Sequence, residues 1–248
     1  MAATATNLGV GYLAAATNVQ PGATSGKRTL VLVEAQIATG NGGTPNGLAV
    51  PSDNKNNVWS LAYSTTNTNA RIHFYVSDGK TAIIPANGDY ISLPGNSTDP
   101  VFWSLWEITE VDPVLGGSGS ASLSFTAGTY STTLGASNFS VRRGVLVGAV
   151  VADDTGTTPK TVNLSDTWTT GSGSGTSTNT AITGYRSFST NATEATSSST
   201  WSATASISPT GAINSTPLVA FLRVPRERPN PLRAARRSGA AVDRCSSR

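Results

Sequence analysis

The sequence predicts an all-β fold, a jelly-roll-like antiparallel β-sandwich with two similar halves. Its apolar segments are short, rich in β-branched residues and bounded by Gly, Pro or Asp, which is typical of strands. No segment repeats its apolar residues with the period of an amphipathic helix. The order of strand-like segments in the first half of the chain recurs in the second half. Together these observations favour a sandwich.

Two apolar runs, Thr29 to Thr39 and Gly144 to Asp154, are the centre of this prediction. Both contain the pattern Val-Leu-Val-x-Ala-x-x-Ala, which begins at Val31 in the first run and at Val145 in the second. Each run is too short and too β-branched for a stable core helix. We therefore expect both to be central strands that are buried on both faces.

The N-terminal segment, residues 1–26, is small and polar with scattered apolar positions, and Pro21-Gly22 closes it as a turn. We predict an N-terminal arm or an edge strand. Its apolar residues have no place in the repeated strand order, so we expect them to contact a neighbouring molecule. The candidate partner contacts are Leu8, Val10, Tyr12 and Leu13.

The rest of the first half alternates turns with strands. The Asx-rich stretch Ser52 to Asn57 predicts a turn, because Asn and Asp side chains cap their own backbone. Strands are expected at Val58 to Tyr63, at Arg71 to Val76 with Ile72, Phe74 and Val76 on one face, and at Val101 to Ile108. The stretch Ser77 to Lys80 has the composition of a hairpin turn. In the last of these strands, Val101, Trp103 and Leu105 face one side, while Phe102, Trp106 and Ile108 face the other.

The second half repeats this order after Gly116 to Ser120, a stretch that is flexible by composition. An apolar strand, a Trp strand, an aromatic strand and a closing strand at Thr216 to Val224 follow one another. Half of the chain is a marginal size for a β-domain without disulfides. We therefore assign residues 27–225 to one sandwich domain and not to two small ones.

Residues 226–248 differ in composition from this domain. They carry seven arginines against two acids, a net charge of +5, while residues 1–225 carry ten basic and twelve acidic residues, a net charge of −2. We interpret them as a disordered basic tail, since they contain no aromatic residue. A phosphate-binding arm and translation from an unintended reading frame are the alternatives. Nucleic acid binding is not expected except weakly through this tail.

Few residues of the sequence could act in catalysis or bind a metal. The single cysteine, Cys245, excludes an internal disulfide and a thiolate metal cluster. A lone strand histidine such as His73 is typical of a solvated or hydrogen-bonded surface position, and one histidine cannot hold a zinc ion. The acids that follow apolar strands have the composition of turns and solvated edges, although paired carboxylates also serve glycoside hydrolysis. These acids are Glu107, Glu110, Asp112, Asp153 and Asp154.

Two further sequence patterns could indicate a binding site, a calcium loop and a set of tryptophans. Asp53 to Asn57 resembles a calcium loop, but Lys55 stands where an oxygen ligand is required, so the match fails. The five tryptophans form either a stacking platform for sugars or, as their apolar neighbours favour, part of the core. They are Trp59, Trp103, Trp106, Trp168 and Trp201. We expect no catalytic residue, cofactor or metal.

The N-terminus lacks a signal peptide pattern, and no segment is long and apolar enough to span a membrane.

Several segments resemble a group of β-sandwich virion proteins from tailed bacteriophages of high-GC actinobacteria. They are TLVLVEAQIATG, SDNKNNVWSLAYS, RIHFYVSDG, RRGVLVGAVVADD and TPLVAFLRV, and they extend over most of residues 27–225. The closing strand Leu218 to Leu222 and the Arg-rich tail depart from the pattern of that group.

The resemblance implies a non-enzymatic virion structural protein, a capsid decoration or minor tail component assembled in the host cytoplasm. Other virion proteins and further copies of the chain would then be its partners. A carbohydrate-binding or host-receptor-binding module, with a host surface glycan as ligand, is the first alternative. A glycan-active enzyme is the second.

Overall fold

A computed structural model describes residues 5–13, 16–26, 28–37, 48–66, 70–94, 101–108, 118–122, 129–134, 144–153, 161–165, 169–170, 174–175, 179–188, 201–208 and 218–225. In this part of the chain the fold is all-β, and every strand pair is antiparallel. A single short 3₁₀ turn is described, at Pro85–Asn87. The predicted tail, residues 226–248, lies outside the described residues.

The first half contains eight described strands. They are β1 (Ala5–Leu13), β2 (Thr17–Val19), β3 (Thr29–Ile37), β4 (Ser52–Asp53), β5 (Trp59–Thr66), β6 (Ala70–Ser77), β7 (Ile91–Leu93) and β8 (Val101–Ile108). Five of them form one sheet in the order β1-β8-β3-β6-β5, and the other three form a small sheet in the order β2-β7-β4.

The second half contains nine described strands. They are β9 (Ser118–Ser122), β10 (Thr129–Leu134), β11 (Gly144–Asp153), β12 (Thr161–Ser165), β13 (Thr169–Thr170), β14 (Ser174–Gly175), β15 (Asn179–Phe188), β16 (Trp201–Ser208) and β17 (Leu218–Pro225). The large sheet has the order β13-β15-β11-β17-β9, with β14 also paired to β15, and the small sheet has the order β10-β16-β12.

The two halves have the same topology. When β9 takes the place of β1, β11 of β3, β15 of β6 and β17 of β8, the large sheets have one strand order, and the small sheets match in the same way. In each half the described strands pass repeatedly between the large and the small sheet, although β5 pairs directly with β6, and β14 with β15, within a large sheet. The predicted similarity of the halves is therefore a property of the fold.

Both repeated apolar runs form the predicted central strands. In the first large sheet β3 lies between β8 and β6, and in the second β11 lies between β15 and β17. The two strands are not hydrogen-bonded to each other; they belong to sheets that face each other across a shared core. Val33 and Val147, which occupy equivalent positions in the repeat, are both fully or almost fully buried in that core.

This shared core makes the molecule a β-sandwich. Alternate residues of β3, β6 and β8 supply one side, and residues of β11 and β17 supply the other. The largest contributors from the first sheet are Phe74, Phe102 and Trp106, and the second sheet contributes Val147, Ala149, Val151 and Leu222. Each fully buried aliphatic or aromatic side chain contributes ~1.5–3 kcal/mol, so this cluster is a major source of stability.

The opposite face of the first large sheet is also covered. Leu30, Leu32, Trp103 and Leu105 point to this side and pack with Val19 of β2, Ile91 and Leu93 of β7, and Ile83. The predicted division of β8 into two buried faces is therefore confirmed, as is the face of β6 formed by Ile72, Phe74 and Val76.

Two local predictions are wrong. The stretch Ser77 to Lys80 is a turn but not a hairpin, because β6 is followed by β7, which belongs to the small sheet. The stretch Gly116 to Ser120 was expected to be flexible, but Ser118 to Ser120 belong to β9 (Ser118–Ser122), which pairs with β17.

Candidate functional site

The N-terminal segment is an edge strand, one of the two forms predicted for it. β1 pairs along its length with β8, and a bulge between Asn7 and Gly9 interrupts the register. Leu13 is buried in the cluster beneath the small sheet, and Leu8 packs against the same cluster. Val10 is half-buried. Tyr12 is 41% exposed, and its ring lies 5.4 Å from that of Phe102. Of the four candidate contacts, Tyr12 alone presents a large exposed surface.

The outer side of β1 is partly occupied. The backbone N–H of Gly22 donates a hydrogen bond to the carbonyl of Leu8. The indole of Trp103 lies against the backbone of β1. A Cβ placed on Gly11 would come within 2.5 Å of the indole Nε1. Two glycines at alternate positions of β1, Gly9 and Gly11, thus leave room for a core tryptophan. β1 is integrated into the sandwich and is not a detached arm.

The other edge of the same sheet, β5, is more open. β5 pairs with β6 on one side, and from Trp59 to Thr65 no described backbone hydrogen bond reaches its other side. Its exposed side chains are uncharged: Leu61 is 47% exposed, and Ser60 and Ser64 are exposed as well. A bulge between Leu61 and Tyr63 is the one protective feature of this edge.

The turn before β5 is a hydrogen-bonded network centred on Asp53. Its Oδ1 accepts from the backbone N–H groups of Lys55 and Asn57, and its Oδ2 accepts from the Asn57 side chain and from Trp59 Nε1 at 2.7 Å. The Asn57 amide in turn exchanges two hydrogen bonds with the backbone of Thr81. The predicted capping role of this Asx-rich stretch is confirmed.

Lys55 extends the network. Its Nζ lies 2.9 Å from Asp89 Oδ1. The hydrogen bond from the Ile84 backbone N–H, followed by the interaction with Lys55, holds the pKa of Asp89 below its usual value. Lys55 therefore ties the turn to the segment before β7.

A row of buried polar side chains crosses β3 and β6 on the face beneath the small sheet. Glu34 lies directly opposite His73, and Gln36 lies directly opposite Arg71. Glu34 and Gln36 are fully buried, and His73 is only 4% exposed. Both carboxyl oxygens of Glu34, both polar atoms of Gln36 and both ring nitrogens of His73 lack hydrogen-bond partners. The surface prediction for His73 is wrong: its ring stacks on buried Tyr75, which belongs to the core cluster on this face of the sheet.

Burial controls the ionisation of this polar row. It raises the pKa of Glu34 from 4.5 to about 8 and lowers the pKa of His73 from 6.5 to about 4, to which the nearby Arg71 charge also contributes. Burial and the proximity of Glu34 raise the pKa of Tyr75. The Tyr75 ring stacks on His73 with a 5.7 Å separation of centroids.

The acids considered from the sequence do not form a described site. Glu107 is buried, and its two oxygens accept hydrogen bonds from the backbone N–H and hydroxyl of Ser25, so it fastens the segment before β3 to β8. The expectation of a solvated edge is therefore wrong for Glu107. Asp153 ends β11, while Glu110, Asp112 and Asp154 lie outside the described residues.

The tryptophans of the first half are core residues, as their neighbours predicted. Trp59, Trp103 and Trp106 are all buried. Trp201 begins β16, and Trp168 lies outside the described residues. Among the residues whose placement is described, no group of three or more His, Cys, Asp or Glu side chains could hold a metal ion. No helix in the described part of the chain is long and apolar enough to cross a membrane.

Comparison with known proteins gives no match to a protein-family model, to a curated protein or to a solved structure. The function is therefore inferred from the strand edges and polar groups described above.

Two features of the molecule were not recognised from the sequence. One is the open edge of β5, which strand composition cannot distinguish from an internal strand. The other is the polar row. A signal for it existed, since Glu34 and Gln36 follow Leu30 and Leu32 at alternate positions and must share their buried face.

Proposed function

We propose that this chain is a non-enzymatic virion structural protein, a capsid decoration or minor tail component that works by assembling with other proteins. The observation that carries the proposal is the open edge of β5. A strand edge presents a row of backbone donors and acceptors that another chain can pair with. Charged side chains and Pro usually protect such edges, and Trp59–Thr66 contains neither.

The winding of the chain supports the same proposal. Most consecutive strands of each half lie in different sheets, although β5 pairs directly with β6, and in the first half β1-β8-β3-β6-β5 faces β2-β7-β4. We propose that this is jelly-roll winding, which is common in viral capsid proteins and also in lectins. The resemblance of the apolar segments to phage β-sandwich proteins favours the first of these two classes. Fold alone does not decide between them.

The expected mode of assembly is edge pairing. A second copy that aligns its β5 antiparallel to the first would extend the five-stranded sheet across a two-fold axis. No like charges would oppose each other, because the strand is uncharged. Single contacts of this kind are weak, and repetition over a symmetric particle supplies avidity. Other virion proteins with an open edge are partners of the same chemistry.

Charging the edge tests this mode. Leu61→Lys places a solvated ammonium on β5, and two copies would bring these charges close together across the pairing axis. We expect the wild-type protein to show concentration-dependent self-association in sedimentation velocity and Leu61→Lys to remain monomeric. Val58→Lys is the matched control, because Val58 is 71% exposed but precedes the strand, and it should behave like wild type. Tyr12→Lys reports on the β1 edge in the same way.

A wild-type protein that stays monomeric at all concentrations and does not bind particles would contradict the proposal. Saturable binding to a host glycan by such a monomer would instead favour the carbohydrate-binding or receptor-binding alternative.

A further inference from the structure

The polar row on β3 and β6 is not explained by assembly through the edge. Six polar atoms of Glu34, Gln36 and His73 are buried without hydrogen-bond partners, and Arg71 Nε beside them is also unpartnered. Buried polar groups are nearly always hydrogen-bonded, and those that are not require an explanation. An ionised carboxylate in such a place would be especially unfavourable, so the protonation states of this row are coupled to folding.

We propose that Glu34 and His73 form a proton-binding pair that holds one proton in the folded protein and links the stability of the first sheet to pH. The pair is defined by geometry, because the two residues are direct cross-strand neighbours on one face of adjacent strands. The proton resides on Glu34, since a neutral acid and a neutral imidazole avoid burying a charge. This inference is independent of the proposed assembly function.

The charged and titratable neighbours support that assignment. On β6, Arg71 and Tyr75 flank His73 on the same face, and the Arg71 charge opposes formation of an imidazolium. On β5 the residues opposite β6 are Ser64 and Thr66, and on β8 the residues opposite β3 are Trp103 and Val101, none of which is charged.

Several other charged groups of the first half are engaged elsewhere. Glu107 of β8 binds Ser25, Asp53 binds Trp59, and Lys55 pairs with Asp89. These groups are therefore held by partners other than Glu34, and burial is what shifts the pKa of its carboxyl.

The direction of the pH dependence follows from counting protons. Between pH 4.5 and 6.5 the unfolded chain holds one proton on His73 and the folded protein holds one on Glu34, so stability is flat. Between pH 6.5 and about 8 the unfolded pair holds none, while the folded pair still holds one. Stability therefore falls with rising pH in this window, by about fourfold in the folding equilibrium constant per pH unit, because each group is half-titrated at one end of the window.

The test is urea denaturation across pH 4 to 9, combined with NMR titration of the single histidine. We expect the wild-type folding equilibrium constant to fall about eightfold between pH 6.5 and 8. The folding equilibrium constant of Glu34→Gln should not fall in this window and should only rise with pH up to 6.5. That of His73→Gln should fall from pH 4.5 upward. Glu107→Gln is the matched control, a buried carboxyl on the same sheet face that has hydrogen-bond partners, and it should retain the wild-type fall.

A fall that persists in Glu34→Gln, or a wild-type constant that does not change between pH 6.5 and 8, overturns the proposal. The NMR titration decides independently if Glu34→Gln does not fold. A His73 ring that stays neutral from pH 5 to 8 supports the proposal, and a midpoint near 6.5 overturns it.

Discussion

Gly79→Ala is expected to destabilise the fold by roughly 3–5 kcal/mol, a large part of the 5–15 kcal/mol that typical domains possess. Gly79 lies in the turn after β6 with φ +51°, in the left-handed region that side chains rarely adopt. A Cβ at this position would overlap the carbonyl oxygen of Arg28 and would lie 3.1 Å from Leu30 Cγ. Because the first obstacle is backbone at the start of a central strand, it cannot move without disturbing β3.

Gly88→Ala is the control for the conformational part of this effect. Gly88 also has a positive φ, +79°, but nothing lies within 4 Å of a Cβ placed there. Gly88→Ala should lower the free energy of unfolding by only ~1–2 kcal/mol, the usual penalty for an alanine in the left-handed conformation. Urea denaturation followed by tryptophan fluorescence measures both variants. Equal losses in the two would show that the Arg28 contact does not constrain the turn.

Asp53→Ala should lower the free energy of unfolding by about 2–4 kcal/mol, because hydrogen bonds to a charged group are worth ~1.5–3 kcal/mol and several are lost together. The substitution removes the acceptor of four described hydrogen bonds. It also leaves the Nε1–H of buried Trp59 without its carboxylate partner. Chemical denaturation is the measurement.

Asp78→Ala is the matched comparison for the Asp53 variant. The Asp78 carboxylate accepts one exposed backbone hydrogen bond, from Lys80 at 3.3 Å. Its removal should cost well under ~1 kcal/mol. A loss at Asp53 no larger than the loss at Asp78 would mean that water replaces the carboxylate and that the turn is not held by it.

Much of the sandwich was predictable because the relevant information is local. Alternation of apolar side chains assigns each residue of β8 to a face. The residue pattern shared by the two apolar runs identifies β3 and β11 as equivalent strands. The capping role of Asp53 also follows from a short stretch of sequence. These predictions required no knowledge of which strands are neighbours.

Predictions that depend on distant segments were less successful. His73 was expected at the surface, but it is buried beside Tyr75, whose core cluster includes residues of the small sheet from separate parts of the chain. Turn composition at Ser77 to Lys80 indicates a reversal, yet it does not specify which sheet the next strand joins. The open edge of β5 has the same origin, since edge or interior position is decided by the order of all strands in the sheet.

The central proposal, that the chain is a virion structural protein, is tested most directly by cryo-electron microscopy of purified particles from a phage whose genome carries this sequence. We predict repeated density at symmetry-related positions of the capsid or tail that fits a large sheet of order β1-β8-β3-β6-β5 packed on the β11 and β17 sheet. Particles that lack this density, together with recovery of the protein only in the particle-free fraction, would contradict the claim.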